Sequence, residues 1–144
     1  MLKETSAITS PFNPTGAFMP SAVITRETIE EMVMNFYHRV LQDDVVGPFF
    51  IAKLGDDMNN EHWKPHLELL VNFWSSIALG DNSYYGNPFA PHLYLGELKR
   101  ETFEQWLTLF YATLDEVYEP QAADLFKERS RIIAGNFMRN LGLA

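Results

Sequence analysis

The sequence predicts an all-α domain built on four main helices. Apolar residues recur at three- and four-residue spacing over four separate stretches, and nothing alternates with period two over a convincing length. Glycine and proline gather between those stretches rather than inside them. At 144 residues the chain suits one domain with a sizeable core.

Residues 1–24 are rich in Ser, Thr, Pro and Gly, and Pro11, Pro14 and Pro20 prevent a long helix there. They read as a mobile N-terminal arm or extended lead-in, with the domain occupying residues 25–144. The first helix runs from about Thr28 to Leu41. Thr28 with Glu31 makes a capping-box signal, and Thr25 is an equally good cap. Ile29, Met32, Val33, Phe36, Tyr37 and Val40 then fall on one helical face. Gly47-Pro48 breaks the chain, Phe49-Phe50 follows in a turn, and Lys53 to Asn60 is a polar connector.

The second helix must begin near residues 60–64, because Pro65 is tolerated only in a first turn. Trp63, His66, Leu67, Leu70, Trp74 and Ile77 continue at helical spacing until Gly80-Asp81-Asn82-Ser83 ends them. Residues 80–98 hold too much Gly and Pro for a long helix. A third helix runs from about Glu101 to Tyr118, with Phe103, Trp106, Leu107, Phe110, Tyr111, Leu114 and Val117 on its apolar face. Pro120 stops it or starts the next. The fourth carries Ala122, Leu125, Phe126, Arg129, Ile132, Ile133 and Phe137. Two helices thus precede the loop around His92 and two follow it.

Composition narrows the function classes. A formal charge of −8, with 19 acidic against 11 basic side chains and no basic run, argues against nucleic acid as a partner. The absence of cysteine excludes disulfides, thiolate zinc sites, cysteine nucleophiles and iron–sulfur clusters. No apolar run approaches the roughly 18 residues that suggest a membrane span, and the N-terminus lacks a signal-peptide order, so no membrane and a cytoplasmic location are expected. Aromatic residues make up 14% of the chain, enough to line a flat apolar cavity or simply to fill a core.

His92 stands in a proline-flanked loop, Asn87-Pro88-Phe89-Ala90-Pro91-His92, where a stiffly held neutral imidazole can approach a metal-centred cofactor axially. Its alternative is an ordinary loop histidine. Tyr37, His66 and Trp106 place polar tips on faces that otherwise read as core; each taken singly is a core residue that finds a backbone partner. Together they suit a haem, with one ligand below and a donor cage above, weighed against a plain helical core. His62 and His66 share the spacing of zinc-binding helices, but Trp63 stands where the metalloprotease motif has Glu, and Pro65 strains the turn. Arg129 either snorkels to solvent or pairs with a carboxylate, for which a haem propionate would serve.

The ordered combination of Phe36-Tyr37, Gly47-Pro48-Phe49-Phe50, Trp63-x-x-His66, Phe73-Trp74, Leu79-Gly80, Tyr85-x-Asn87-Pro88, His92-Leu93-x-Leu95 and Phe103-x-x-Trp106-Leu107 resembles the truncated haemoglobins, most closely their third group, found in bacteria. The resemblance covers about residues 24–141. It implies a shortened globin fold, two helices packed over two others around haem b. It matches His92 to the proximal iron ligand, Tyr37 to the distal tyrosine, His66 to the distal histidine and Trp106 to the pocket tryptophan. Phe49 or Phe50, with Phe50 favoured, matches the phenylalanine on the porphyrin. Leu70 matches a distal wall position, Trp74 falls on a further inner turn, and Arg129 stands where the family has an arginine. The long leading arm is the main departure.

The implied ligands are dioxygen, nitric oxide, carbon monoxide and other small molecules. Donors from Tyr37 and Trp106 would favour a ligand carrying partial negative charge, which suits nitric oxide or peroxide chemistry better than oxygen transport. Turnover would need an unidentified reductase, since the chain contains no flavin or nicotinamide module. A gas sensor or oxygen-binding module without turnover, and a cofactor-free helical interaction protein, are the alternatives. Nothing in the sequence obliges more than a monomer.

Overall fold

The computed structural model describes residues 20–81 and 97–143. Five helices lie among them: α1 (Arg26–Leu41), α2 (Gly47–Leu54), α3 (Trp63–Leu79), α4 (Arg100–Val117) and α5 (Pro120–Asn140). Packing joins α4 to α5 and to α1, while α1 also rests on α3 and α2. The four long helices coincide with the four sequence stretches. The fifth, α2, was expected as a break and a turn.

Gly47-Pro48 opens α2 instead of interrupting the chain, because a proline in a first turn forfeits no helical hydrogen bond and presets φ. Glycine is required beside it. A Cβ on Gly47 would lie 2.6 Å from the Val40 carbonyl oxygen, so only a bare α-carbon lets α2 turn so tightly off the end of α1. Both Phe49 and Phe50 therefore ride on a helix.

Helix α1 starts at Thr25, not at Thr28. Thr25 is extended, its hydroxyl accepts from the Thr28 amide at 3.1 Å, and the Thr28 hydroxyl accepts from the Thr25 amide at 2.9 Å. Glu31 is thereby carried inside the helix and buried rather than used as a cap. Before α3, Asn60 does the capping: its Oδ1 accepts from the amides of His62 and Trp63, and its Nδ2 donates to the Leu54 carbonyl. Gly80 ends α3 in the left-handed conformation at φ +70°. Pro120 starts α5.

Ahead of α1, Ser21 bridges to the α4–α5 corner. Its amide donates to the Val117 carbonyl and its carbonyl accepts from the Glu119 amide, both at 2.8 Å. The main core fills the space between α1, α3, α4 and the first half of α5. At its centre Phe110 is sandwiched between Trp74 and Trp106, 5.2 Å from each and nearly parallel to both. A second, smaller core of Phe103, Ala134 and Phe137 joins the start of α4 to the end of α5. Ile132, which the sequence pattern placed inward, is 43% exposed, and Ile133 takes the inward position. No described helix is long and apolar enough to cross a membrane.

Candidate functional site

An apolar cleft is lined by Val46, Phe49 and Phe50 at α2, by Leu98, Thr102, Phe103 and Trp106 at α4, and by Ile133, Ala134 and Phe137 of α5. Its cavity volume is about 30 Å³, continuous with space open to solvent. Helical spacing explains the walls: Thr102, Phe103 and Trp106 share one stripe of α4, and Ile133, Ala134 and Phe137 share one stripe of α5. The small Ala134 leaves room between larger neighbours.

Behind Phe50 stands a nest of rings around Tyr37. The Tyr37 ring lies 5.4 Å from Phe50, 5.2 Å from Trp63, 5.1 Å from His66 and 4.9 Å from Phe36, all edge to face. Phe36 in turn lies 5.4 Å from Trp106. One phenylalanine thus spaces two donors, the phenol of α1 and the indole of α4. Tyr37 is only 3% exposed, and burial holds its hydroxyl far above the usual range, so it remains a protonated donor at every physiological pH. Among the described residues neither the Tyr37 hydroxyl nor the Trp106 indole donates to a protein acceptor. The Nε2 of His66 is buried in the same nest.

Asp43 ties the cleft's entry together. Its Oδ2 accepts from the amides of Val45 and Val46, and its Oδ1 accepts from Gln105 Nε2 at 2.7 Å. Partial burial works to raise this carboxyl, but the three hydrogen bonds outweigh it and hold the group below its ordinary value. Val46 and Trp106, the neighbours of those partners, are thereby held across one wall of the cleft.

The remaining candidate residues scatter. Leu70 is half-buried against the main core, and Trp74 sits one ring deeper than Trp106, with Phe110 between them. Neither lines the cleft. Arg129 is exposed, one turn before Ile133, and forms no ion pair among the described residues. His92, with the whole stretch 82–96, lies outside the described residues. His62 is exposed in the N-cap position of α3, and no described group of His, Asp and Glu side chains could hold a metal ion by itself.

Sequence reasoning did not single out Val46, Leu98, Thr102, Ala134 or the Asp43–Gln105 tie. A small residue between two large ones on an apolar stripe, as at Ala134, was the signal available for the cleft.

The chain is 34% identical over 123 residues to a group 3 truncated haemoglobin, ctb, of Campylobacter jejuni, covering 85% of this chain and 95% of that protein. This chain belongs to the truncated haemoglobins, in their third group. A crystal structure of a group III truncated haemoglobin from the same organism superposes with a TM-score of 0.78 at 34% identity, over 85% of this chain and 95% of that one. The chain matches no family model. The all-α architecture is accordingly that of a shortened globin, with α1 and α3 on one side and α4 and α5 on the other. Membership in the truncated haemoglobins implies a haem cofactor and small gas ligands.

The described residues fit such a group. Haem needs an apolar slot, and the cleft is lined mainly by apolar and aromatic side chains. A bound gas is held by polar donors, and the rings of Tyr37 and Trp106 both pack on Phe36, with Phe50 of the cleft lining beside Tyr37.

Proposed function

We propose that this truncated haemoglobin binds dioxygen and other diatomic gases at the iron of haem b, with His92 as proximal ligand and Tyr37, His66 and Trp106 as the distal cage. The carrying observation is that Tyr37 and Trp106, two donors without a protein acceptor among the described residues, are spaced by one phenylalanine beside an apolar cleft. A ferrous haem supplies reversible gas binding and one-electron chemistry when bound.

Phe49 and Phe50 would press on the porphyrin from α2, with Phe103 and Phe137 lining the same cleft. Tyr37 stays protonated and points its phenol from a dry nest, where a hydrogen bond to a charged acceptor is worth roughly 1.5–3 kcal/mol. Trp106 adds an N–H that can only donate. His66, packed against Tyr37, would act as a gate or as a weak sixth ligand. Arg129, exposed one turn from Ile133, is available to a propionate.

Donors of this kind favour ligands with negative charge on their outer atom and slow their release. Such a site suits nitric oxide dioxygenation or peroxide handling, with an external reductase supplying electrons, better than oxygen transport. The same cage would serve a gas sensor without turnover. An optical spectrum of the purified protein, as isolated, reduced, and reduced under carbon monoxide, tests the haem reading. A strong Soret band that shifts under carbon monoxide is expected; a colourless protein that takes up no added haemin would sink the reading. Nitric oxide turnover with a supplied reductase separates enzyme from sensor, and a rate no higher than that of free haem would eliminate the enzyme.

A further inference from the structure

Helix α1 has a second face that the cleft does not use. Glu31, Asn35 and Arg39 are spaced four residues apart and so form one row, which meets Thr113 and Glu116 of α4. Arg39 holds both oxygens of Glu116 at 3.2 Å and also donates to the Thr113 hydroxyl at 3.1 Å. Asn35 approaches the same carboxylate at 3.5 Å. The guanidinium is therefore spent on Glu116. Glu31 is left only 9% exposed, and its buried Oε2 has no hydrogen-bond partner among the described residues. A buried carboxyl thus shares the α1–α4 seam with the charge of Glu116, whose own cation is already engaged.

We propose that this seam between α1 and α4 is a proton-operated positioning device that sets how closely Tyr37 and Trp106 approach a common ligand; the ligand half of this statement rests on the proposed haem function. With a proton on Glu31, the group is neutral beside the Arg39–Glu116 pair and the helices stay together. Without it, a buried negative charge facing that of Glu116 must reach water, which parts α1 from α4 along the row. Movement passes to the site through Phe36, which follows Asn35 directly and lies between Tyr37 and Trp106. The far end of the row is pinned, because the buried Tyr118 hydroxyl donates to the Thr28 hydroxyl at 2.9 Å. The helix should therefore tilt rather than slide.

Burial, and secondarily the charge of Glu116, holds the Glu31 carboxyl up at about 7. Among the described residues no other charged group acts on Glu31. Helix α2 offers only Lys53, and α3 offers Lys64, His66 and Glu68, none of which acts on Glu31. On α4, Asp115 turns to Lys127 of α5 at 2.7 Å. Tyr118 also faces Glu31, but burial first, and the Glu31 charge with it, keep its hydroxyl protonated well above neutrality. Because the folded state holds the Glu31 proton more tightly than the unfolded chain, its contribution to stability is full at low pH. That contribution is lost as pH rises from 4.5 through about 7.

The test uses the full-length protein and the variants Glu31→Gln and Glu116→Gln at about pH 5 to 9. In the parent protein a protonated-carboxyl infrared band should disappear with a midpoint near 7, and the near-ultraviolet dichroism of the Phe36–Tyr37–Trp106 cluster should change with it. Oxygen release should quicken roughly threefold or more between about pH 6 and 8, the size of one weakened hydrogen bond. All three transitions should vanish in Glu31→Gln, and their midpoint should fall in Glu116→Gln. A carboxyl band that titrates only below about pH 5, or pH profiles that Glu31→Gln retains, would overturn the seam. A chain that takes up no haem would overturn the function proposed above. The infrared and dichroism titrations would then still decide the seam by the same criteria.

Discussion

Two tryptophans show how this molecule divides structure from function. Trp63, at the α2–α3 corner, has no exposed surface, and its indole donates to the Gly55 carbonyl at 2.7 Å. The capping residue beside it is fully used: Asn60 serves two amides and a carbonyl at once. Trp106, on the cleft wall, is half-buried and its indole donates to nothing among the described residues. A buried donor costs stability unless it is paired, so a donor left open beside a cleft has been positioned for something other than the fold. Tyr37 obeys the same rule from the neighbouring helix.

The comparison can be broken most severely from the side opposite the donors. His92→Ala should abolish retention of haem and soften the fold, since a group bound only by the native state is part of its stability; an unchanged Soret band and unchanged unfolding temperature would contradict it. Next in size is Trp63→Phe. Loss of its volume and of the bond to Gly55 should cost about 2–4 kcal/mol in denaturant unfolding, with ligand kinetics nearly unaltered.

Tyr37→Phe should do the reverse. Oxygen dissociation should quicken about tenfold or more, close to 1.4 kcal/mol, while stability moves by less than about 0.5 kcal/mol because no protein hydrogen bond is lost. An unchanged off-rate in stopped-flow mixing would show that the phenol does not reach the ligand. A modest effect is expected for Trp106→Phe. Its ring would still stack on Phe110, so unfolding should shift by less than about 1 kcal/mol and only the ligand off-rate should respond.

Apolar spacing alone located the four long helices within a few residues, because the three- and four-residue repeat is a property of one helix and its single buried face. Where the chain was misread, a neighbour decided. Gly47-Pro48 looks like a break until the Val40 carbonyl, 2.6 Å from where a side chain would begin, shows that the pair makes a helix start possible. Thr25 and Thr28 are equally good caps in the sequence, and the extended backbone at Thr25 selects the former.

The donors were legible as polar tips on apolar faces, Tyr37 on α1 and Trp106 on α4. Their relation was not. That one ring, Phe36, spaces both donors, that Phe110 withholds Trp74 from the cleft, and that Glu31 is buried facing the charge of Glu116 all depend on how α1, α3 and α4 cross. A sequence carries the period of each helix because periodicity is local. The distance between side chains on different helices, and with it the environment that shifts a carboxyl or leaves a donor open, exists only once those helices are packed.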